Sequence, residues 1–248
     1  MKILLFALSL LPYKADTIPV AARKLIQSYP QQITAFVNNH IVFKDKSTIV
    51  WDDGIRNKSR EQLLDHPDLK DMFMQSYPKG VTKPPAKDFD PGRVRNTEFF
   101  KKIYGQTKQA VAQNLTEITW CPKLVNQKIK VTKVNGIDKQ LLQISAELDD
   151  HPELKKYLNN IGGTFNWRNI AGTNRLSMHS FGMTVDINIT YSDYWQWICK
   201  CTTEETNMPY RNRIPQIIVD IFERHGFIWG GKWSHFDTMH FEYRPEQL

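Results

Sequence analysis

Cysteine is scarce in this sequence of 248 residues, which contains only three, at positions 121, 199 and 201. A structural zinc site normally takes four ligands at recognisable spacings, and no partner pair accompanies the Cys-Lys-Cys segment. In an oxidising compartment Cys121 could pair with Cys199 or with Cys201 and leave one thiol over. Because a single residue separates Cys199 from Cys201, we expect no bond between those two.

Long apolar runs are also absent, since none reaches the ~18 residues of a membrane-spanning helix. The N-terminus carries a short one, in which Lys2 precedes the mostly apolar residues 3–11. A positive start before such a run is typical of a secretory signal peptide, whereas a buried N-terminal helix or strand is the alternative. We therefore predict a signal peptide over residues 1–15, export to the periplasm or cell envelope, and no transmembrane span.

Acidic residues are outnumbered, because 26 Asp and Glu face 33 Lys and Arg, for a formal net charge of +7. Loss of the predicted signal peptide would remove Lys2 and Lys14 and no acid, which leaves +5. A modest positive charge suits an anionic polymer such as cell wall. Nucleic acid is not an expected partner, because the sequence has no compact stripe of Lys and Arg with interleaved aromatic residues.

Apolar spacing along the chain predicts helices mixed with short strands, and hence an α+β fold. Residues 78–95 are rich in proline, glycine and charge and should form an irregular loop. A helix that starts at Thr97 is interrupted by Gly105 and resumes through Val111 and Leu115. The other predicted helices cover residues 18–40, 60–75 (or a turn), 141–148 and 214–222. The predicted strands cover residues 41–43, 48–51, 129–134, 165–168, 183–189, 227–229 and 238–243.

Two segments of the C-terminal third carry candidate metal ligands. His179 and Asp186 lie seven residues apart, and Gly182 between them permits a tight bend. Strand alternation places Asp186 on the polar face of a half-buried strand and His240 on the polar face of another. If the two strands are neighbours, two imidazoles and one carboxylate converge. That set suits zinc and leaves a position open for water.

Asp237, three residues before His240, is the candidate general base. A carboxylate near an acidified water can take its proton and return it to the leaving amine. Glu242 shares a strand face with His240 and is the rival base. The alternative for Glu242 is a supporting contact, either a hydrogen bond to a ligand histidine or an ion pair with an arginine.

Amide hydrolysis builds negative charge on the carbonyl oxygen, so a cation should face the base. Arg168, at the end of an aromatic strand-like run, is the candidate, whereas Arg175 could be a loop residue or a substrate contact. His235 could orient Asp237, bind substrate or lie in a solvated turn. The aromatic residues between 191 and 197 could line a groove, although core packing is their default.

These residues resemble the D-alanyl-D-alanine carboxypeptidase family of zinc peptidases, in the branch that also includes L-alanyl-D-glutamate endopeptidases. The family pattern Ser-x-His-x-x-Gly-x-x-x-Asp matches Ser177, His179, Gly182 and Asp186. The downstream pattern acid-x-x-His matches Asp237 and His240, although several relatives have the longer Glu at the acid. The resemblance covers residues 88–248 and leaves residues 16–87 as an N-terminal extension.

The resemblance implies roles for these residues. The zinc ligands would be His179, Asp186 and His240, with Asp237 as base and Arg168 as the carbonyl-stabilising or substrate-binding cation. Residues that would contact substrate or support the ligands are Ser177, His235, Glu242 and Arg175. It also implies the fold of these peptidases and of Hedgehog-like proteins, a small antiparallel sheet flanked by helices.

The hypothesis is therefore an exported, monomeric zinc peptidase that hydrolyses peptide bonds in peptidoglycan stem peptides. The residues do not say whether it acts as a carboxypeptidase or an endopeptidase. A cell-wall-binding module that keeps the zinc fold without turnover is the alternative from another class. A metal-dependent hydrolase of another small substrate is a weaker option.

Overall fold

Three small antiparallel sheets and short helices build the described part of this computed structural model, residues 18–201 and 208–248. The predicted α+β class is confirmed. None of the helices in these two ranges is long and apolar enough to cross a membrane. The predicted signal peptide, residues 1–15, lies outside the described residues.

The helices and strands of the described residues are short, and the longest of these helices has 12 residues. The α-helices of the described chain are α1 (Val20–Ser28), α2 (Arg60–Asp65), α3 (Thr97–Tyr104), α4 (Lys108–Ala112), α5 (Ile137–Leu148), α6 (Lys155–Leu158), α7 (Trp195–Cys199) and α8 (Gln216–Arg224). The strands are β1 (Ile33–Val37), β2 (His40–Phe43), β3 (Thr48–Val50), β4 (Leu115–Trp120), β5 (Gln127–Thr132), β6 (Thr184–Asp186), β7 (Phe227–Trp229) and β8 (His240–Tyr243).

The third sheet, in the order β6-β8-β7, brings the two sequence segments together. Strand β8 lies in the middle and pairs antiparallel with both neighbours. In this register Asp186 lies directly opposite His240. The condition for convergence, that the two strands are neighbours, is therefore met.

The predicted helix over residues 18–40 was wrong beyond residue 28. Tyr29 leaves the helical region (φ −129°, ψ 53°) because Pro30 follows it, and proline disfavours helical backbone in the preceding residue. Asn38 and Asn39 then take positive φ values of 46° and 60°, which asparagine tolerates in a tight hairpin turn. The turn lets β1 pair with β2.

Two other local predictions also failed. Leu115 does not continue a helix but begins β4, which pairs with β5 over six residues and half-buries its side chain. Residues 165–168 are not a strand, although bridges flank them at Gly163–Asp186 and Asn169–Leu176. The backbone of this segment instead hydrogen-bonds to the turn that contains Ser180, whose Oγ accepts from the Arg168 N–H at 3.0 Å.

The cysteine prediction was wrong as well. Cys199 and Cys201 form a disulfide, and Cys121 is buried with a free thiol. Lys200 takes the left-handed conformation (φ 55°, ψ 31°) at the end of α7 and turns the chain back on itself. The two Cα atoms are consequently 5.1 Å apart, within the range that a disulfide spans.

A single cluster of buried apolar side chains runs from the N-terminal extension into the C-terminal sheet. Leu25 of α1 and Phe99 of α3 belong to it, as do Phe222 of α8 and Phe241 of β8, whose rings stack with centroids 3.9 Å apart. Buried polar contacts reinforce the connection, because the Tyr29 hydroxyl donates to Glu246 Oε2 at 2.8 Å. The extension and residues 88–248 therefore share one core.

Replacing Tyr29 with Phe should lower the free energy of unfolding by about 1.5–3 kcal/mol, because the fully buried Glu246 carboxylate loses a hydrogen-bond donor. Urea titration followed by circular dichroism measures the change. Tyr157→Phe is the matched control, because that ring packs edge-on against Tyr191, and it should shift stability by less than about 0.5 kcal/mol. Equal effects of the two substitutions would contradict a stabilising role for the Tyr29–Glu246 contact.

Candidate metal centre

His179, Asp186 and His240 converge on one point beside the third sheet. Asp186 Oδ2 lies 3.0 Å from His179 Nε2, and Asp186 Oδ1 lies 3.0 Å from His240 Nδ1. One candidate ligand atom from each residue lies within 4.8 Å of the other two. Tetrahedral zinc with bonds of about 2.0–2.1 Å separates its ligand atoms by roughly 3.3 Å, so this donor set fits the ion.

The tight turn that aims His179 depends on two neighbours. The Ser177 hydroxyl accepts from the His179 N–H at 3.3 Å and starts a 3-10 turn, Met178–Phe181. Gly182 ends this turn with φ 66° and ψ 21°, a conformation that favours glycine. A Cβ at this glycine would also lie 2.7 Å from a methyl of Leu115. The glycine of the motif is therefore required for backbone geometry and for space.

The nitrogen of each histidine that does not face Asp186 is held by the protein. His179 Nδ1 lies 2.9 Å from the carbonyl oxygen of Thr164, which can only accept, so Nδ1 donates and Nε2 is the nitrogen that faces Asp186. His240 Nε2 lies 3.2 Å from Glu242 Oε2, so Nδ1 is the nitrogen that faces Asp186. Such outer contacts fix the tautomer and orientation of metal-binding imidazoles.

Glu242 is fully buried and both its oxygens are occupied. Arg95 Nη2 donates to Oε2 at 2.6 Å, and Arg244 Nη1 donates to Oε1 at 3.0 Å. Burial opposes ionisation, but Arg95, His240 and Arg244 outweigh it and hold the pKa of this carboxyl far below its usual value. Glu242 thus makes both contacts that the sequence analysis gave as the alternative to a role as base, a hydrogen bond to a ligand histidine and an ion pair with an arginine.

Asp237 differs from Glu242 in its surroundings. Its Oδ1 atom is buried and has no hydrogen-bond partner within the described part of the chain. Burial, and then the negative charge of Asp186, raise the pKa of Asp237 to about 6. A carboxylate with an unoccupied oxygen and a pKa near neutrality can accept a proton and give it back.

A cavity of ≈ 290 Å³ opens over these groups. It is lined by all three candidate ligands, by Asp237 and by the predicted cation Arg168, whose exposed side chain donates to the carbonyl of Asn169 at 3.3 Å. Three of the aromatic residues predicted to line a groove also line it: Tyr194, Trp195 and Trp197. Tyr191 does not, and packs against Tyr157 instead.

Of the other predicted residues, Ser177 and His235 belong to this cavity and Arg175 does not. Ser177 and His235 line it, and His235 Nδ1 lies 2.8 Å from Asp90 Oδ2 in a buried contact. Arg175 lines an adjoining cavity, with its Nε 3.4 Å from Asp65 Oδ1. Arg175 is therefore placed beside the candidate metal centre and not within it.

Sequence reasoning missed Arg93 and Arg95, which both line the cavity. Arg95 also lies over the Trp233 ring at 5.4 Å. Both arginines belong to the predicted irregular loop, where no periodicity marks which face is inward. The Pro-Gly pair just before them, at residues 91–92, was the only local signal that this loop makes a fixed turn.

A second group of carboxylates, Asp52, Asp53 and Asp68, also has the spacing for a cation. Lysine already neutralises it, because Lys58 Nζ lies 2.6 Å from Asp53 Oδ2 and 3.5 Å from Asp68 Oδ2. This group lies on the N-terminal extension and contains no histidine. We therefore treat the histidine-containing group as the candidate metal centre.

Residues 171–243 match the model of a protein family described as D-alanyl-D-alanine carboxypeptidase. The matched stretch contains the three candidate ligands and Asp237, and it confirms the resemblance seen in the sequence. It supports a peptidase, and therefore a hydrolase. No curated protein and no solved structure matches the chain.

We predict that the purified protein binds about one zinc ion per chain and that His179→Ala or Asp186→Asn abolishes this binding, because each removes one of three ligands. Inductively coupled plasma mass spectrometry after dialysis measures the bound metal. The matched controls are His66→Ala and His151→Ala, which remove imidazoles outside the centre and should leave zinc content unchanged. Zinc retained by both ligand variants would contradict the assignment.

Proposed function

We propose that this protein is a zinc-dependent peptidase of the D-alanyl-D-alanine carboxypeptidase family that hydrolyses peptide bonds in peptidoglycan stem peptides. One observation carries the proposal. Asp237, which has a buried carboxylate oxygen without a hydrogen-bond partner among the described residues, lines the same cavity as two imidazoles and the carboxylate of Asp186. A site that only bound its ligand would gain nothing from a carboxylate that burial leaves unpaired.

His179, Asp186 and His240 would hold the zinc ion. When bound, zinc supplies Lewis acidity, which polarises an amide carbonyl and makes a water molecule more acidic. The two histidines are pre-oriented for this role by the Thr164 carbonyl and by Glu242. Such preorganisation means that little reorganisation is needed when substrate binds.

Asp237 would move the proton. Its Oδ1 takes a proton from the attacking water and later delivers it to the amide nitrogen that leaves, so the carboxylate is regenerated in each turnover. Neither oxygen of Glu242 is available for this step, because arginines and His240 occupy both. The proposal therefore assigns the proton to Asp237 alone.

Arg168 would stabilise the negative charge on the carbonyl oxygen. Its side chain is exposed at the cavity and, among the residues that the structure describes, makes a single hydrogen bond, to a backbone carbonyl at 3.3 Å. Arg95, by comparison, is committed to Glu242 through two nitrogens. A guanidinium that is not locked in an ion pair can turn towards an oxyanion.

We further propose that the substrate is cell wall and that the protein is exported. The family match points to cell-wall peptides, and the positive charge of the chain suits an anionic polymer. The Cys199–Cys201 disulfide supports an oxidising compartment, where such bonds persist.

Incubation of the zinc-loaded protein with purified muropeptides should yield shortened stem peptides, and mass spectrometry identifies the bond that is cut. Asp237→Asn should lower the rate by at least about 100-fold while zinc content is kept, because the proton acceptor is lost. Asp150→Asn is the matched control, since that acid lies at the surface in a pair with Lys123, and its rate should be unchanged.

Two results would contradict the proposed function. Full activity of Asp237→Asn would remove the proposed base. Zinc-dependent binding of muropeptides without any product would instead favour the non-catalytic cell-wall module.

A further inference from the structure

Helix α2 belongs to the N-terminal extension and lies outside the matched stretch 171–243, yet it lines a second cavity of ≈ 610 Å³. This volume is about twice the ≈ 290 Å³ of the cavity at the candidate metal centre. The larger part of the open space therefore lies beside the extension and away from the reacting groups.

The two cavities adjoin each other, because they share part of their walls, and together we call them the groove. The shared residues are Arg93, Ile170, Ala171, Tyr194, Trp195 and Gln196. Residues 170–175 and 194–196 form one bank of the larger cavity, and α2 forms another. A peptide that reaches the metal centre through this groove must pass α2.

Core packing does not explain the position of α2. None of its six residues is buried. The helix is held by polar contacts, since Ser59 and Gln62 form a capping box and Arg60 pairs with the buried Asp90. The Arg175–Asp65 contact, 3.4 Å long, connects α2 to the bank formed by residues 170–175. Glu61 and Leu64 line the groove between these attachments.

We propose that α2 is a specificity element, which binds the part of the substrate furthest from the bond that is cut. This inference rests on the proposed peptidase function. The preferred substrate is an extended peptide of several residues that carries carboxylate groups as well as an amino group. Side chains of both charge signs line the larger cavity, among them Glu61 and Arg93, and Tyr194 supplies an aromatic surface.

The proposal predicts that filling the groove at α2 impairs long substrates and spares short ones. Leu64→Trp and Glu61→Trp each place a large ring in the larger cavity, at positions where no core packing is disturbed. For a stem peptide of four or five residues, kcat/KM should fall by roughly tenfold, mainly through KM, because remote binding is lost. For a dipeptide with the same scissile bond, kcat/KM should change less than about twofold.

Leu142→Trp is the matched control, since Leu142 is an exposed leucine of α5 that lines neither cavity. It should leave both substrates unaffected. Equal losses for the long and the short peptide in both α2 variants, or no loss for either, would overturn the role of α2. Failure of the unmodified protein to hydrolyse either peptide would overturn the proposed function itself, which is a different result.

Discussion

The buried carboxylate of Glu242 links the candidate metal centre to a network of buried charges. It contacts His240 on one side and the guanidinium groups of Arg95 and Arg244 on the other. Arg244 in turn pairs with Glu246, which accepts a hydrogen bond from Tyr29. The chain of alternating charges therefore reaches from a candidate metal ligand to the end of the first helix.

The formal charges of the carboxylates and guanidinium groups cancel, because two arginines face two glutamates. All four of these side chains except the partly buried Arg95 are fully buried. Buried charges cost much free energy unless each has a partner, and removal of one partner from such a pair costs about 3–5 kcal/mol. The network therefore restricts which side chains can surround His240. It also connects the extension to the core that contains the metal centre, since the Tyr29 hydroxyl donates to Glu246, the last carboxylate of the network.

Local pattern predicted the part of the site that lies on regular structure. Strand alternation placed Asp186 and His240 on polar faces, and the β6–β8 register puts them opposite each other. Gly182 was predicted to permit a bend, and the turn there does take positive φ. The residues that sequence reasoning missed, such as Arg95, act over large separations along the chain. Arg95 and Glu242 are 147 residues apart, and no short-range pattern records such a pair.

Two of the errors trace to single residues that set the local backbone conformation. Pro30 ended a helix that apolar spacing alone would have continued, and Lys200 in the left-handed region brought two cysteines together. The groove bank formed by α2 was equally invisible, because Glu61 and Leu64 of an exposed helix carry no sign of what they face. What these two side chains face is decided by the position of α2 in the tertiary structure.

The claim that two imidazoles and one carboxylate bind the ion is tested most directly by X-ray absorption spectroscopy at the zinc edge of the metal-loaded protein. We expect two histidine nitrogens and light oxygen ligands at about 2.0–2.2 Å, with four ligands in total. A sulfur shell at about 2.3 Å, or a spectrum without histidine scattering, would contradict a centre built from His179, Asp186 and His240.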